Sequence, residues 1–98
     1  MKALVVLLAA AAAVPAFADP KLAEQKNCLA CHSLDKKVVG PAFKDVAAKY
    51  AGKPGMAATL SEKIRKGSVG AWGDVAMPPN DVSAADATKL AEWVLSLK

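Results

Sequence analysis

One histidine, two cysteines and three methionines are all that these 98 residues contain of the side chains that commonly bind metals through nitrogen or sulfur. A zinc site needs four ligands, and one His with two Cys falls short unless a carboxylate completes it. No stretch sustains the polar–apolar alternation of a strand. There is no internal repeat and no inter-domain linker. No run of five like charges occurs, so the charges read as solvated faces and not as a nucleic-acid-binding tract. The apolar run from Ala3 to Val14 is 12 residues long, whereas a membrane-spanning helix needs about 20.

That short run has a different reading. Met1-Lys2 is a positive start, and Pro15-Ala16-Phe17-Ala18 after the run is an A-x-A cleavage pattern. Together they form the layout of a secretory signal peptide, residues 1–18, with a membrane-anchored form as the other reading. Export through it places the chain in the periplasm. Removing 18 of the 98 residues leaves 80, residues 19–98. That is one small domain with a marginal core, a size at which a covalent or metal staple is often needed. Loss of Lys2 leaves 12 basic against 9 acidic side chains, a net +3. An excess this mild suits docking to acidic protein surfaces and does not point to nucleic acid.

The exported part reads as all-α, with about four helices. Asp19-Pro20 opens the first, Asp as cap and Pro at the first helical position, and the helix is expected to reach about Cys28. Phe43, Val46, Ala47 and Tyr50 fall at i, i+3, i+4 and i+7, which predicts a helix over 43–50. Gly52 is its stop signal. Met56, Leu60 and Ile64 predict a third helix over 56–66, closed by Gly67. Ser83, with Asp86 three residues on, resembles a capping box and starts the last helix. Its buried stripe is Ala87, Leu90, Ala91, Val94 and Leu97, with Trp93 alongside. Residues 68–82 form a long irregular stretch, and a loop of that length in so small a domain is usually functional or disordered.

Cys28-Leu29-Ala30-Cys31-His32 carries the chemistry. Two thiols separated by two residues can add across the two vinyl groups on one edge of a porphyrin, and a His directly after them can ligate the iron. This is the signature of c-type haem attachment. A thioredoxin-like redox pair would belong at the start of a helix after a strand, a setting absent here. A zinc site and a plain structural disulfide are the remaining alternatives.

With His32 as one axial ligand, the other position decides the function. Met56 lies on a helical apolar stripe, where core packing is the simpler role. Met77 stands outside any stripe, in Met77-Pro78-Pro79-Asn80. Two prolines with fixed φ make a stiff segment suited to presenting a side chain to iron. Asn80 can hydrogen-bond the thioether or tie down the loop. His/Met ligation favours the ferrous state and leaves no open position, the arrangement for electron transfer and not for bond-making catalysis. A vacant or labile sixth site would instead make a gas-binding or sensor protein.

The chain resembles the small class I cytochromes c of bacteria, the cytochrome c-551 type. The likeness runs through Cys28-x-x-Cys31-His32, Val39-Gly40-Pro41, Lys44-Asp45-Val46-Ala47, Gly67-Ser68-x-Gly70-x-Trp72-Gly73, Met77-Pro78-Pro79-Asn80, Val82-Ser83 and Trp93-Val94-Leu95-Ser96. The resemblance implies one haem c bonded to Cys28 and Cys31, with His32 and Met77 on its iron. It implies that the Pro41 carbonyl orients the His32 ring, a contact behind the ligand that sets its basicity. It further implies that Trp72 and Lys63 bind a haem propionate and that Asn80 acts near the Met77 sulfur. The implied protein is a monomeric electron carrier and not an enzyme. Its partners would be a quinol-cytochrome c reductase, nitrite reductase, terminal oxidase or cytochrome c peroxidase. Lys26, Lys36 and Lys37, close to the motif in sequence, are candidates to steer such partners.

Overall fold

The computed structural model describes residues 20–98. The signal peptide over 1–18 and the Asp19 cap lie outside these residues. Among the described residues there are four α-helices and no β-strand, only two isolated bridges. The helices are α1 (Pro20–Gln25), α2 (Phe43–Tyr50), α3 (Met56–Lys66) and α4 (Ala84–Ser96).

The apolar periodicity of α2, α3 and α4 converges on one core. Phe43, Val46 and Tyr50 of α2 meet Leu60 of α3 and Leu90, Ala91, Trp93 and Val94 of α4. Trp93 belongs fully to this core, its ring set edge-on to Phe43 at a centroid distance of 5.3 Å. α3 and α4 pack along each other, and α2 packs against α4. Ala23 of α1 and Ala91 of α4 are completely buried, and side chains this small let the short α1 lie close to α4. Leu97 ends outside the helix as its C-cap and is only partly buried.

Local signals set most helix ends. The Ser83 hydroxyl accepts the Asp86 backbone N–H at 3.1 Å, capping α4. α2 has no side-chain cap at Ala42. Instead its leading N–H groups, from Phe43 and Lys44, donate to the carbonyls of Ser33 and Leu34 at 2.9 and 3.0 Å. The orphan donors of a helix start are thereby satisfied by the segment that follows the cysteine motif.

α1 stops earlier than its sequence suggests. The expected helix to about Cys28 ends at Gln25, because Asn27 takes the left-handed conformation with φ of 60°. Asn tolerates that region better than most residues. The chain turns there, and Cys28–Ala30 forms a separate 3₁₀ turn.

Candidate functional site

The first cysteine lies on this turn, and the second follows as its C-cap. The Cys31 and His32 N–H groups both donate to the Cys28 carbonyl, at 3.3 and 3.0 Å. The chain then doubles back, with the Val39 and Gly40 N–H groups donating to the Cys31 carbonyl at 3.1 and 2.7 Å. The two thiols are free and half-buried. Burial pushes the Cys28 thiol above its ordinary range, partly offset by a backbone hydrogen bond. A thioether at that sulfur removes the ionisable group altogether.

His32 is held from three sides. Its Nδ1 lies 2.7 Å from the Pro41 carbonyl oxygen. A carbonyl only accepts, so Nδ1 carries the proton and Nε2 of the neutral ring keeps its lone pair free for a metal. The Phe43 ring stacks on the imidazole at 4.9 Å with an interplanar angle of 23°. Gly40 completes the enclosure, since a Cβ built there would run into His32 Cε1 and stand 2.8 Å from Nδ1. Any side chain at residue 40 would force the ring or the backbone around it to move. Sequence reasoning missed this role of Gly40, and the stacking role of Phe43. The one available signal was a glycine directly before Pro41 in a loop that must return to the histidine.

The Met77 segment is fastened at its base. Met77 and Ser68 exchange backbone hydrogen bonds at 2.8 and 3.0 Å, closing residues 69–76 into a loop. Gly67 has φ of +84°, and a Cβ there would meet the Met77 carbonyl oxygen at 2.7 Å. Asn80 ties the following residues to the end of α3. Its backbone N–H and its side-chain Nδ2 both donate to the Ile64 carbonyl, at 3.0 and 3.1 Å. Nδ2 also donates to the Pro78 carbonyl at 3.2 Å, so both amide hydrogens are engaged on backbone and not on the Met77 sulfur.

These pieces surround one cavity of about 510 Å³. Cys28, Cys31, His32, Pro41, Lys63, Trp72 and Met77 all line it, and Asn80 stands outside it. Its walls are mostly apolar, from Val46, Leu60, Ile64, Leu90 and Val94, so the stripes of α2, α3 and α4 face the cavity as well as each other. Met56 packs against the core and does not line the cavity. Volume, apolar walls, two thiols and an imidazole with a free nitrogen fit a flat apolar macrocycle bearing a metal.

The rim is mixed. Trp72 is 39% exposed and sets its ring edge-on to Tyr50 at 6.4 Å. Lys36 and Lys37 are exposed, and Lys37 reaches the cavity, whereas Lys26 is half-buried and does not. Among the described residues no helix is long and apolar enough to cross a membrane.

Comparison with known proteins agrees with this geometry. The cytochrome c family profile matches residues 20–98. Cytochrome c-552 of Nitrosomonas europaea is 57% identical over 84 residues, covering 85% of this chain and 82% of that protein. Cytochrome c-551 of Pseudomonas aeruginosa is 56% identical over 81 residues, covering 82% and 78%. The crystal structure of wild-type Nitrosomonas europaea cytochrome c552 superposes with a TM-score of 0.80 at 57% identity, over 82% of this chain and 100% of that one. Similarity this high, across an all-helical fold that closes around a Cys-x-x-Cys-His turn, makes the chain a member of the cytochrome c family, a small bacterial class I protein with one covalent haem c.

Proposed function

We propose that the protein is a periplasmic one-electron shuttle whose haem iron is held between His32 and Met77. Electron carriage follows from membership of the family. The observation that carries the finer reading is that His32 and Met77, 45 residues apart in the chain, line the same cavity as the two thiols. When bound, haem supplies an iron that changes valence by one electron.

The chain's own residues do the rest. Cys28 and Cys31 would anchor the macrocycle, which fixes its depth and orientation. Pro41 and Phe43 would hold the imidazole so that Nε2 meets the iron without reorganisation. Met77 would supply a thioether, which favours the ferrous state and raises the reduction potential. Asn80 would act one step back, by fastening the segment that presents Met77. Lys63 and Trp72 would bind the propionates, since both stand at the cavity. With His32 and Met77 both on the iron, no site would be left for substrate, and the protein would deliver electrons without bond-making.

The net +3 charge of residues 19–98 supports acidic partners, with faster association at low salt. Lys36 and Lys37, on the cysteine side, would contribute to that steering. The partner classes are a quinol-cytochrome c reductase as donor and a nitrite reductase, terminal oxidase or cytochrome c peroxidase as acceptor. Export by residues 1–18 would bring the protein to them as a monomer.

Absorption spectroscopy of the ferric holoprotein tests the ligand set. The expected result is the weak far-red charge-transfer band of a thioether–iron bond at neutral pH, with no CO binding to the ferrous form. Ready CO binding without that band would replace the shuttle with a gas-binding protein.

A further inference from the structure

Residues 69–76 cover the cavity yet have little to hold them. Val69 is 80% exposed and Val75 66%. The Ser68–Met77 pair closes the base of the loop. Among the described residues, a single hydrogen bond reaches residues 69–76, from Lys49 Nζ to the Ala71 carbonyl oxygen at 3.1 Å. The same ammonium group lies 4.4 Å from the centroid of the Trp72 ring and 5.6 Å from that of Tyr50. Both distances are within the range of attraction between a cation and an aromatic ring.

We propose that Lys49 is a positioning residue that holds the 69–76 loop closed over the haem and so limits the detachment of Met77 from the iron. Lys49 stands in the last turn of α2, and its neighbour Tyr50 is part of the buried core. It therefore reaches out from a fixed helix, with a buried ring beside it, to a loop that lacks anchors of its own. Trp72 lines the cavity, so holding its ring in place holds part of the cavity wall. Loops with few hydrogen bonds and little burial open at low free-energy cost, and one charged contact then changes the open fraction measurably. The consequence for Met77 rests on the ligand assignment proposed above, whereas the clamp on the loop does not.

The test uses the ferric holoprotein, its Lys49→Met variant and its Lys49→Arg variant. Two rates are measured, cyanide association, which requires Met77 to leave, and amide hydrogen exchange at Ser68 and Met77, whose paired N–H groups close the base of the loop, by NMR. Lys49→Met should raise both by about fivefold, which is about 1 kcal/mol at 1.4 kcal/mol per tenfold. Lys49→Arg should keep both within about twofold of the parent, because a guanidinium also stacks on indole and donates to a carbonyl. Unchanged exchange in Lys49→Met overturns the clamp, as does an equal rise in Lys49→Arg. If the parent lacks the far-red band, the ligand assignment fails on its own and hydrogen exchange alone decides the clamp.

Discussion

His32 and Met77 line the same cavity, but they are held by different kinds of structure. The His32 side is short-range. Cys28 to Phe43 folds back on itself through backbone bonds at Cys31 and a ring gripped by Gly40, Pro41 and Phe43, all within 11 residues of the histidine. The Met77 side is long-range. Besides the Ser68–Met77 pair at its base, its ties run from Asn80 to Ile64 and from Lys49 to Ala71, across 16 and 22 residues, and residues 69–76 are largely exposed. One side is a rigid seat whose geometry survives small disturbances elsewhere. The other depends on how α2 and α3 are placed, so it is the side from which ligand exchange should begin.

The sharpest way to expose that contrast is to remove the loop's proposed ligand. Met77→Ala should abolish the far-red band, admit CO and lower the reduction potential on the order of 0.2 V, within the span of about 0.8 V that axial ligands set. Met56→Ala should leave band and potential unchanged, because Met56 packs on the core away from the cavity. Spectra and redox titration of both variants check this. A changed band in Met56→Ala with an intact one in Met77→Ala would reverse the ligand assignment.

The rigid seat can be broken with one methyl group. In Gly40→Ala the new Cβ meets the imidazole at distances no real contact shows, so the ring or the 38–41 backbone must move. Overpacking of this kind costs about 1–3 kcal/mol. Because the misplaced ring is the proposed iron ligand, the variant should also shift the Soret spectrum and lose haem-bearing protein during maturation. Denaturant unfolding together with the yield of holoprotein measures both effects. A neutral result would mean that the His32 side is more compliant than its contacts indicate.

The extents of α2 and α3 and the start of α4 could be read from periodicity and caps, because Phe43, Leu60 and Leu90 with their neighbours repeat at helical spacing and Ser83 and Gly67 mark ends. The haem turn could be read because its chemistry needs two thiols and an imidazole within five residues. α1 could not be bounded, since its end depends on the backbone angle at Asn27 and no periodic signal shows that. Gly40 and Lys49 were missed for another reason. Each acts through a close approach in space, to a ring or to a carbonyl, and a linear pattern carries no distances. Asn80 was visible as a loop residue with two possible tasks, and its hydrogen bonds to Ile64 and Pro78 decide between them only once α3 is in place.

Asn80 also gives the smallest and most selective disturbance. Asn80→Ala removes the side-chain bonds to Ile64 and Pro78 but keeps the backbone N–H donating to Ile64. One half-buried hydrogen bond and one exposed one contribute about 1–1.5 kcal/mol together. That loss should lower the thermal midpoint of the ferric protein by several degrees, about 4–8 °C per kcal/mol in a domain this small. It should also loosen the Met77 side selectively. The far-red band should therefore fade on heating before the helical circular dichroism does, whereas in the parent the two transitions should lie closer together. If band and helix are lost together in Asn80→Ala, the two sides of the cavity unfold as one unit, and the contrast between a rigid seat and a dependent loop does not hold.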